Sequence, residues 1–328
     1  MQGVIPYYGA SGIVDYVNQY IFDENLILLG EDGENILSRN CRLAFQVSGK
    51  TWVNNHAHVM RPKPEMNIGY LTELLESLNY SQYNTGTAQP KLNKQVCSNI
   101  PIVCPSFPEQ CAIAATLYDS DALLSSLDRL LAKKRDIKQA VMQQLLTGKQ
   151  RLPGFSGNWE VKRLGDVLKV RHGRSQQGIV ANNGKHPILA TGGEIGRTNQ
   201  FLYDRPSVLI GRKGTIDAPQ YADTPFWTID TLFYTEIASS ADPKFIFYKF
   251  NMIDWRSYNE ASGVPSLNAS TIEKIEITCP EHVEQTAIAA VLTDMDAETD
   301  ALTQRRDKTR AIKNGMMQEL LTGRTRLV

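Results

Sequence analysis

The chain carries the same helical sequence twice, and this repeat constrains its fold more than any other feature. Residues 109–150 and residues 284–325 align at a constant offset of 175, without a gap. Each copy begins Glu-Gln-x-Ala-Ile-Ala-Ala and contains Leu-Leu-Thr-Gly near its end. A repeat of this length implies two copies of one structural unit. We therefore predict a pseudo-twofold molecule, which would suit a partner that is itself nearly twofold.

The repeated segments have the pattern of long helices. The first copy has no proline or glycine between Glu109 and Thr147, and its apolar residues recur at spacings of three, four and seven. Gly148 and Gly323 each follow Leu-Leu-Thr, where a left-handed helix C-cap is expected. About 38 helical residues span about 57 Å, more than a small domain. A lone helix of this length would expose its apolar seam, so we predict that the two helices pack antiparallel.

Polar residues interrupt the apolar seam in the middle of both predicted helices. Lys134, Lys138, Arg306 and Lys313 are expected to be solvated or to face a partner protein or DNA, and the pair Asp294/Asp296 to be solvated. The pair of helices is expected to act as a rigid spacer, although a dimerisation coiled coil would show the same pattern. The seam residues assigned to a partner interface are Leu124, Leu131, Val141, Leu145, Leu302, Met316 and Leu320.

The regions before the two helices repeat more loosely. Leu92-Asn93 matches Leu267-Asn268 at the offset of 175, but Gly30-x-x-Gly33 matches Gly211-x-x-Gly214 at an offset of 181. Short β-rich runs such as 207–211 and 231–235 lie between turn residues. We predict an α+β fold in which two strand-rich domains are separated by the two antiparallel helices. The predicted segments are 1–108 (first domain), 109–150 (first helix), 151–283 (second domain) and 284–328 (second helix).

The opening of the second domain has no counterpart in the first. Gly3 aligns with Gly184, so the first copy lacks counterparts of residues 151–181. That region includes residues 159–173, which are predicted to form a turn and a strand that ends at a basic loop. The first domain is therefore expected to be N-terminally incomplete. The chain could be a fragment, a truncated gene product, or a chain whose first domain is completed by another chain.

Composition limits the possible class of protein. Hydrophobic residues make up 42% of the 328 positions, enough for sizeable cores, and the formal net charge is zero. No run of about 18 apolar residues predicts a membrane span, and the N-terminus lacks the pattern of a signal peptide. An odd count of five cysteines suggests reduced thiols and a cytoplasmic location. Cys104 and Cys279 each precede a proline and are expected at buried strand ends.

Positive charge is concentrated in the second domain. Residues 167–216 contain eight basic and two acidic side chains, a plausible polyanion footprint, although a solvated surface could look the same. Gly211-Arg-Lys-Gly214 suits a nucleic-acid backbone, whereas the matching loop Gly30-Glu-Asp-Gly33 could accept a hydrogen bond from cytosine. The candidate DNA-binding residues are Lys169, Arg171, Arg174, Lys185, Arg197, Arg212, Lys213, Lys50, Arg61 and Lys63.

Catalytic motifs are not evident. The sequence contains no GxGxxG, HExxH or GxSxG motif. His56 and His58 could lie on one strand face, but no third metal ligand is apparent, and we favour a plain strand-face role for them. The sequence therefore predicts a binding scaffold rather than an enzyme, with no catalytic residue, metal or cofactor of its own.

A run of motifs resembles a known family. Lys133–Lys149 (KKRDIKQAVMQQLLTGK) is followed by Arg-Leu-Pro-Gly-Phe-x-Gly-x-Trp, which ends at Trp159, and then by Arg163-Leu-Gly-Asp-Val. Both helices begin Gln-x-x-Ile-Ala-x-x-Leu, at Gln110 and Gln285. This series resembles the DNA specificity subunit of type I restriction–modification systems, and the resemblance covers essentially the whole chain.

The resemblance implies a function as well as a fold. The two strand-rich domains would be target-recognition domains that each read one half of a split site in double-stranded DNA. The helices would set the spacing and dock two methyltransferase subunits, and motor-nuclease subunits would join them for cleavage. Catalysis and the methyl donor would belong to those partners, and no membrane would be involved. The alternative from the residues alone is a coiled-coil adaptor that assembles proteins without reading DNA.

Overall fold

The chain divides into two compact units in the computed structural model. Unit 1 comprises Met1–Arg129 and Thr303–Val328, and unit 2 comprises Leu130–Leu302. The structure describes residues 3–327, so positions 1, 2 and 328, at the outer ends of the predicted first and last segments, lie outside the described residues. Each unit contains one strand-rich region and half of each long helix. The division therefore falls inside the helices rather than at their ends, where the contiguous predicted segments place it.

Unit 1 is built on two small sheets. One sheet has the strand order β2-β1-β6-β3 and the other β5-β4-β7. The strands are β1 (Ile5–Gly9), β2 (Gly12–Val17), β3 (Phe22–Asp23), β4 (Leu26–Gly30), β5 (Ala44–Val47), β6 (Lys50–Val53) and β7 (Ala57–Met60). The helices are α1 (Asn35–Ser38), α2 (Ile68–Ser77), α3 (Lys94–Ser98) and the first long helix, α4 (Phe107–Leu145).

The core of unit 1 forms around strand β4. The run Leu26 to Leu29 is completely buried, as expected for a continuous apolar strand that is covered on both faces. Helix α2 packs near this sheet, and its N-cap residue Asn67 accepts a hydrogen bond from the amide of Tyr70. This cap fixes the start of α2 at Ile68, and the helix ends at Ser77.

Unit 2 repeats the arrangement with additional strands. Its larger sheets have the orders β11-β10-β14 and β13-β12-β15-β9, and β16 pairs with β8. The elements in chain order are β8 (Glu160–Arg163), α5 (Leu164–Val167), β9 (Leu168–His172), β10 (His186–Ala190), β11 (Gly193–Thr198), β12 (Ser207–Gly211), β13 (Gln220–Ala222), β14 (Trp227–Thr228), β15 (Leu232–Ile237), α6 (Pro243–Phe250), α7 (Ala269–Lys274), β16 (Glu276–Cys279) and the second long helix, α8 (His282–Leu320).

The two strand-rich regions share their strand register. Tyr7 pairs with Trp52 in a parallel ladder, and their counterparts Ile188 and Trp227 pair in the same way. The hairpins β1–β2 and β10–β11 each carry an irregularity at the same position. Because a slip of one residue would turn side chains to the opposite face, equal register shows the same packing in both regions. The loose sequence repeat is thus a close structural repeat.

The opening of the second domain is more structured than predicted. The segment expected as a turn and one strand forms β8, α5 and β9 in succession. Strand β9 pairs with β15, and β8 pairs with β16. Helix α6 begins at Pro243 because the side chain of Asp242 caps its first turn and proline is tolerated at the first helical position.

The prediction of buried strand ends at both cysteines is wrong for one of them. Cys279 ends β16, is 2% exposed and lies in the ladder with β8. Cys104, its counterpart, is exposed and lies outside any strand. Strand β8 pairs with the strand that contains Cys279 and covers it. Among the described residues 3–327, no counterpart of β8 lies beside residues 100–104, so Cys104 is left exposed.

The long helices pack antiparallel in each unit, as predicted. In unit 1, Asp121 pairs with Lys313 and Asp128 with Arg306. Helices α4 and α8 each begin two residues before the predicted start, at Phe107 and His282. Pro108 lies in the first turn of α4, where proline is tolerated. Both C-cap glycines adopt the expected left-handed conformation, with φ of 71° at Gly148 and 72° at Gly323.

The polar residues within the helices pair with each other, which corrects the expectation that they are solvated or face a partner. In unit 2, Lys138 bonds Asp296 and Lys134 lies 2.6 Å from Glu298. Asp296 also accepts a hydrogen bond of 2.7 Å from the hydroxyl of Tyr248, so it is not a solvated acid. These cations can lie on the helix faces that contact the opposite helix because carboxylates of that helix pair with them there.

A repeated ion pair joins the segment after each long helix to the start of the other. Arg151 donates to Glu284 with both distances at 2.5 Å, and Arg326 donates to Glu109 at 2.5 and 2.6 Å. Arg326 is the counterpart of Arg151, and Leu327 is the counterpart of Leu152. Unit 1 thus contains counterparts of these two residues, which corrects the prediction that all of 151–181 lacks one.

Candidate nucleic-acid interface

A glycine-bounded loop in unit 2 presents two cations at the end of strand β12. A Cβ atom at Gly211 would lie 2.0 Å from the carbonyl oxygen of Thr215, and Gly214 has a φ of 90°. Both positions therefore require glycine. The amide of Arg212 donates to Thr231, and its carbonyl accepts from the amide of Leu267 at 2.9 Å. The backbone is held at both sides, which leaves the side chains of Arg212 and Lys213 at the surface.

The loop forms one wall of a groove of about 370 Å³. Among the described residues, Glu260 is the one acid on its walls, and it accepts a hydrogen bond of 2.5 Å from Thr271. The groove is lined by His172, Arg212, Lys213, Phe233, Glu260, Ser266, Leu267, Asn268 and Ala269. The charged, histidine and amide side chains can bind an anion or the edge of a planar polar group. The groove can therefore accept a phosphate-bearing ligand.

His172 and Asn268 are groove residues that the sequence prediction missed. The ring of His172 packs edge-on against Phe233, with centroids 4.9 Å apart. Asn268 caps helix α7 by accepting a hydrogen bond from the amide of Ser270. His172 follows Arg171 in the predicted basic loop, so its position was a usable signal. The signal for Asn268 was weaker. This residue repeats Asn93, but a search for positively charged side chains does not select an uncharged amide.

Strand β9 carries further predicted cations, on the face opposite to the groove residue His172. Lys169 and Arg171 are exposed and two residues apart on the strand, so they share one face. Arg171 lies 2.9 Å from Glu236 on the neighbouring strand, and this hydrogen bond raises the pKa of its guanidinium. Arg174 follows the strand, and its carbonyl accepts from the indole of Trp227. Arg171 is thus paired within the chain.

Two other predicted cations lie on a different sheet of unit 2. Lys185 precedes β10 and Arg197 lies on β11, and Arg197 donates to the carbonyl of Lys185 at 3.3 Å. Arg197 also lies 3.8 Å from Glu194. The structure therefore brings Arg212 and Lys213 together at the groove, and places Lys185 and Arg197 together on the hairpin.

The matching loop in unit 1 has the same backbone and the opposite charge. Glu31 occupies the position of Arg212 and lies 3.3 Å from Lys91. Asp32 occupies the position of Lys213, and its carboxylate lies 2.9 Å from Nδ1 of His56. His58 contacts the carbonyl oxygen of Leu92 at 2.6 Å. Both histidines therefore face the glycine loop and the chain beside it.

The predicted basic residues of unit 1 do not form one cluster. Arg61 makes two hydrogen bonds to the Glu24 carboxylate, at 2.6 and 2.7 Å, and these lower the pKa of Glu24. The ammonium of Lys50 lies 4.9 Å above the ring of Tyr20. Lys63 is exposed. Arg61 and Lys50 thus already have partners inside the chain.

The residues assigned to a partner interface pack inside this chain. Leu131, Leu145 and Leu320 are buried, with 1%, 5% and 6% exposure. Leu124, Val141, Leu302 and Met316 are partly buried. The three buried leucines belong to the seam and the unit cores, so they offer no free surface in this structure.

No cluster of three or more His, Cys, Asp or Glu side chains suited to a metal ion occurs among residues 3–327. No helix among the same residues is apolar and long enough to cross a membrane.

The fold and groove define a duplicated binding scaffold with a basic groove in one copy, and comparisons identify its family. The sequence profile described as "Type I restriction modification DNA specificity domain" matches residues 1–135 and 156–310. The chain belongs to this family. These findings give no support to the alternative of a coiled-coil adaptor.

Individual relatives extend over most of the chain. A type I restriction enzyme specificity subunit of Haemophilus influenzae is 27% identical over 323 residues, which cover 93% of this chain and 83% of the relative. The MjaVIII specificity subunit of Methanocaldococcus jannaschii is 23% identical, over 100% of this chain and 87% of its own length. The crystal structure of an S subunit from M. genitalium has a TM-score of 0.71 at 15% identity, covering 97% of this chain and 89% of that one. This last likeness confirms the predicted fold.

Proposed function

We propose that this chain is the DNA specificity subunit of a type I restriction–modification enzyme and that unit 2 binds DNA at the groove beside Arg212 and Lys213. The observation that carries the proposal is the glycine loop, which presents two cations at this groove in a chain of the DNA specificity family. Cationic side chains next to backbone amides commonly contact phosphates and set the register of a protein on a duplex. Base readout would then fall to neighbouring side chains such as Asn268, whose amide can bond base edges.

The duplicated fold supports recognition of a bipartite site. Both units have the same strand register but different loop chemistry, so each can read a different half-site. The helices α4 and α8 each continue through 39 residues and contribute to both units. We propose that they fix the spacing between the two half-sites, as half-site spacing in other duplicated DNA-binding proteins follows from protein geometry.

The partners and the chemistry follow from the same proposal. The relatives are named specificity subunits of restriction enzymes, and a solved structure with a TM-score of 0.58 is described as showing complex assembly of the type I system. We propose that this chain docks methyltransferase subunits, two in number, and that motor-nuclease subunits complete the enzyme. Methylation and cleavage would take place on those partners. The five free thiols support a reducing, cytoplasmic setting.

The loop repeat supplies a matched test of DNA binding. The double variant Arg212→Glu/Lys213→Asp gives the groove loop the chemistry that unit 1 already carries on the same backbone. Because that backbone accepts both pairs, the variant should fold normally. DNA affinity should fall about 100-fold at low salt, and the salt slope should decrease by about two, since two phosphate contacts are lost.

The control changes the same charges away from the groove. Arg305 and Lys308 are exposed on α8. Arg305→Glu/Lys308→Asp should leave affinity and salt slope close to those of the unchanged chain. Fluorescence anisotropy with duplex DNA at several salt concentrations measures both variants. Equal affinity of the loop variant and the unchanged chain would contradict the groove assignment and favour an adaptor that does not read DNA.

A further inference from the structure

A β-bulge recurs at the same place in both units. In the hairpin β1–β2 the register shifts after Tyr7, and Val14 is the extra residue of the bulge. In the hairpin β10–β11 the register shifts after Ile188, and Ile195 is the extra residue. A bulge changes the direction of the side chain it carries, and bulges are frequent beside active sites. Val14 and Ile195 therefore have equivalent and unusual positions in the two units.

The extra residue of each bulge is an exposed, branched aliphatic side chain. Val14 is 66% exposed and Ile195 is 50% exposed. A single exposed aliphatic side chain is ordinary on a protein surface. The neighbours differ between the units, however, because the preceding residue is isoleucine in one and glutamate in the other, and the following residue is aspartate in one and glycine in the other. An exposed aliphatic residue that both bulges share among different neighbours indicates a contact that both units make.

The chain that precedes the hairpin leaves this residue accessible. In unit 2, residues 159–184 precede the hairpin and all of them are described. They reach strand β11 at Thr198, where Val180 forms a β-bridge, and Ile195, three residues away, remains half exposed. The exposure of Ile195 is thus a property of a unit whose preceding segment is in place. The exposure of its counterpart Val14 has the same origin.

The end of the β10–β11 hairpin lies beside the glycine loop of the proposed DNA-binding groove. The amide of Ile229 donates to the carbonyl of Leu189 in the hairpin, at 3.1 Å. Two residues further along, the carbonyl of Thr231 accepts from the amide of Arg212 in the glycine loop, at 2.8 Å. The hairpin and the loop are therefore attached to the same short turn. A duplex bound at the loop would also meet the hairpin.

The same hairpin is fixed at its end and carries cations. The side-chain amide of Gln220 donates to the carbonyls of Ala190 and Thr191, at 2.9 and 3.1 Å. Lys185 is exposed at the start of the hairpin, and the side chain of Arg197, two residues after the bulge, is 46% exposed. Cationic side chains of this kind contact phosphates and set the register of a protein on DNA.

The chemistry of Ile195 limits what it can contact on a duplex. Its side chain neither donates nor accepts a hydrogen bond, so it cannot bind a phosphate or the polar groups of a base edge. The major groove admits a two-stranded β-ribbon, and the C5-methyl group of thymine is the apolar group that base edges present there. A branched aliphatic side chain on a fixed hairpin matches this methyl group.

We propose that Ile195 is a specificity-determining residue that contacts the C5-methyl group of a thymine in the half-site bound by unit 2. Val14 makes the equivalent contact in the half-site bound by unit 1. The inference rests on the proposed function, and it adds one base to each half-site. Both half-sites then contain a thymine, at matching positions relative to the two hairpins.

Selection of DNA sequences tests the proposal. The full chain, co-expressed with its methyltransferase subunit, would select duplexes from a random-sequence pool, and sequencing of the bound fraction gives the preferred base at each position. The unchanged chain should select a thymine in each half-site. Ile195→Ala should lower that thymine preference about fourfold in one half-site, and Val14→Ala in the other, because each removes a contact with a methyl group.

Deoxyuridine and a matched variant provide the controls. Deoxyuridine differs from thymidine only by the missing C5-methyl group. Its substitution for the selected thymine should weaken binding by the unchanged chain about fourfold, and should weaken binding by the Ile195→Ala chain no further. Fluorescence anisotropy measures both. Val161→Ala, at a valine of strand β8 that is 66% exposed, should select the same sequences as the unchanged chain.

Several results would overturn the proposal. They are an unchanged thymine preference in Ile195→Ala, an equal loss in Val161→Ala, and a deoxyuridine effect that persists in Ile195→Ala. Loss of the methyltransferase subunit from the Ile195→Ala chain, with unaltered selection of DNA, would assign the bulge to that protein and contradict a contact with thymine. If the unchanged chain enriches no sequence, the proposed function itself fails. Enrichment without a thymine that depends on Ile195 contradicts this inference alone.

Discussion

The glycine loops of the two units have the same backbone and opposite charge. The amide of Gly33 donates to Pro90 at 3.0 Å, and that of Gly214 donates to Pro265 at 2.9 Å. Arginine and lysine in one loop replace glutamate and aspartate in the other. Glycine conformation and buried strands therefore define the loop, whereas the two side chains between the glycines are free to vary. This difference shows how one fold can carry two binding chemistries.

The units also differ in how their sheet edges are covered. Strands β8 and β9 cover β16 and β15 in unit 2, while the equivalent positions in unit 1 include the exposed Ile102 and Cys104. Equivalent residues therefore have unequal surroundings. Substitutions at matched positions can separate what the shared fold requires from what the covering segment adds.

The largest expected contrast is between two isoleucines. Ile277→Asp should destabilise unit 2 by about 3 kcal/mol or more, because it buries an unpaired charge against β8. Ile102→Asp should change the free energy of unfolding by less than about 0.5 kcal/mol, since its side chain is already in contact with water. Urea unfolding measures both variants. Similar costs at the two positions would show that residues 100–104 are covered in solution.

A second pair of positions should behave alike. Leu117 and Leu292 are counterparts in the two long helices, and both are completely buried. Replacement of either by alanine should cost about 2–5 kcal/mol through lost burial and a residual cavity. Tyr118→Ala, at a side chain that is 73% exposed, is the control and should have a small effect. A negligible cost at one leucine alone would contradict equivalent helix packing in the two units.

The ion pair of Glu109 should make stability depend on acid pH. Hydrogen bonding from Arg326 lowers the pKa of Glu109 below its ordinary value of 4.5. The stabilisation is therefore present above about pH 4.5 and is lost as pH falls through the lower pKa of the folded state. Glu109→Gln should lower the melting temperature at pH 7, and its difference from the unchanged chain should shrink in acid. Glu34→Gln, at an exposed glutamate, should leave the profile unchanged; an equal effect of both variants would contradict the assignment.

The smallest effect concerns a buried lysine that unit 1 replaces by leucine. Burial lowers the pKa of Lys249 to about 8, and its ammonium donates to the carbonyl of Leu146 at 2.7 Å. Its counterpart is Leu74. Between about pH 8 and 10.5 the unfolded state holds a proton that folded Lys249 has lost, so stability should rise with pH in this window. Lys249→Leu should remove that rise.

The control for this prediction is Lys274→Leu, at an exposed lysine of α7. Thermal unfolding from pH 7 to 10.5 measures both variants. The rise in stability should persist in the Lys274 variant and disappear in the Lys249 variant. Persistence in both would show that another group causes it.

The sequence predicted the features that depend on local or repeated patterns. The helices, their glycine caps and the equivalence of the glycine loops follow from spacing and from the internal offset. The ion pair between Lys313 and Asp121 joins residues far apart in the chain, and it depends on the register of two antiparallel helices. The exposure of Cys104 likewise depends on which strand lies beside it. Local patterns do not contain this information.

The candidate site was only partly predictable for the same reason. Charge and glycines identified Arg212 and Lys213, but the groove also needs His172 from β9 and Asn268 from the start of α7. Arg61 matched the search for cations, yet Glu24 satisfies it. Which cations remain available depends on contacts that form only in the folded chain.

The central proposal is that two copies of one domain read two half-sites at a fixed separation, and sequencing of methylated DNA tests it most directly. The chain would be co-expressed with its methyltransferase subunit, and the modified positions would be mapped across the host DNA. The account predicts two short specific sequences separated by a constant number of unspecified base pairs. A single continuous motif, or two half-sites at variable separation, would contradict it.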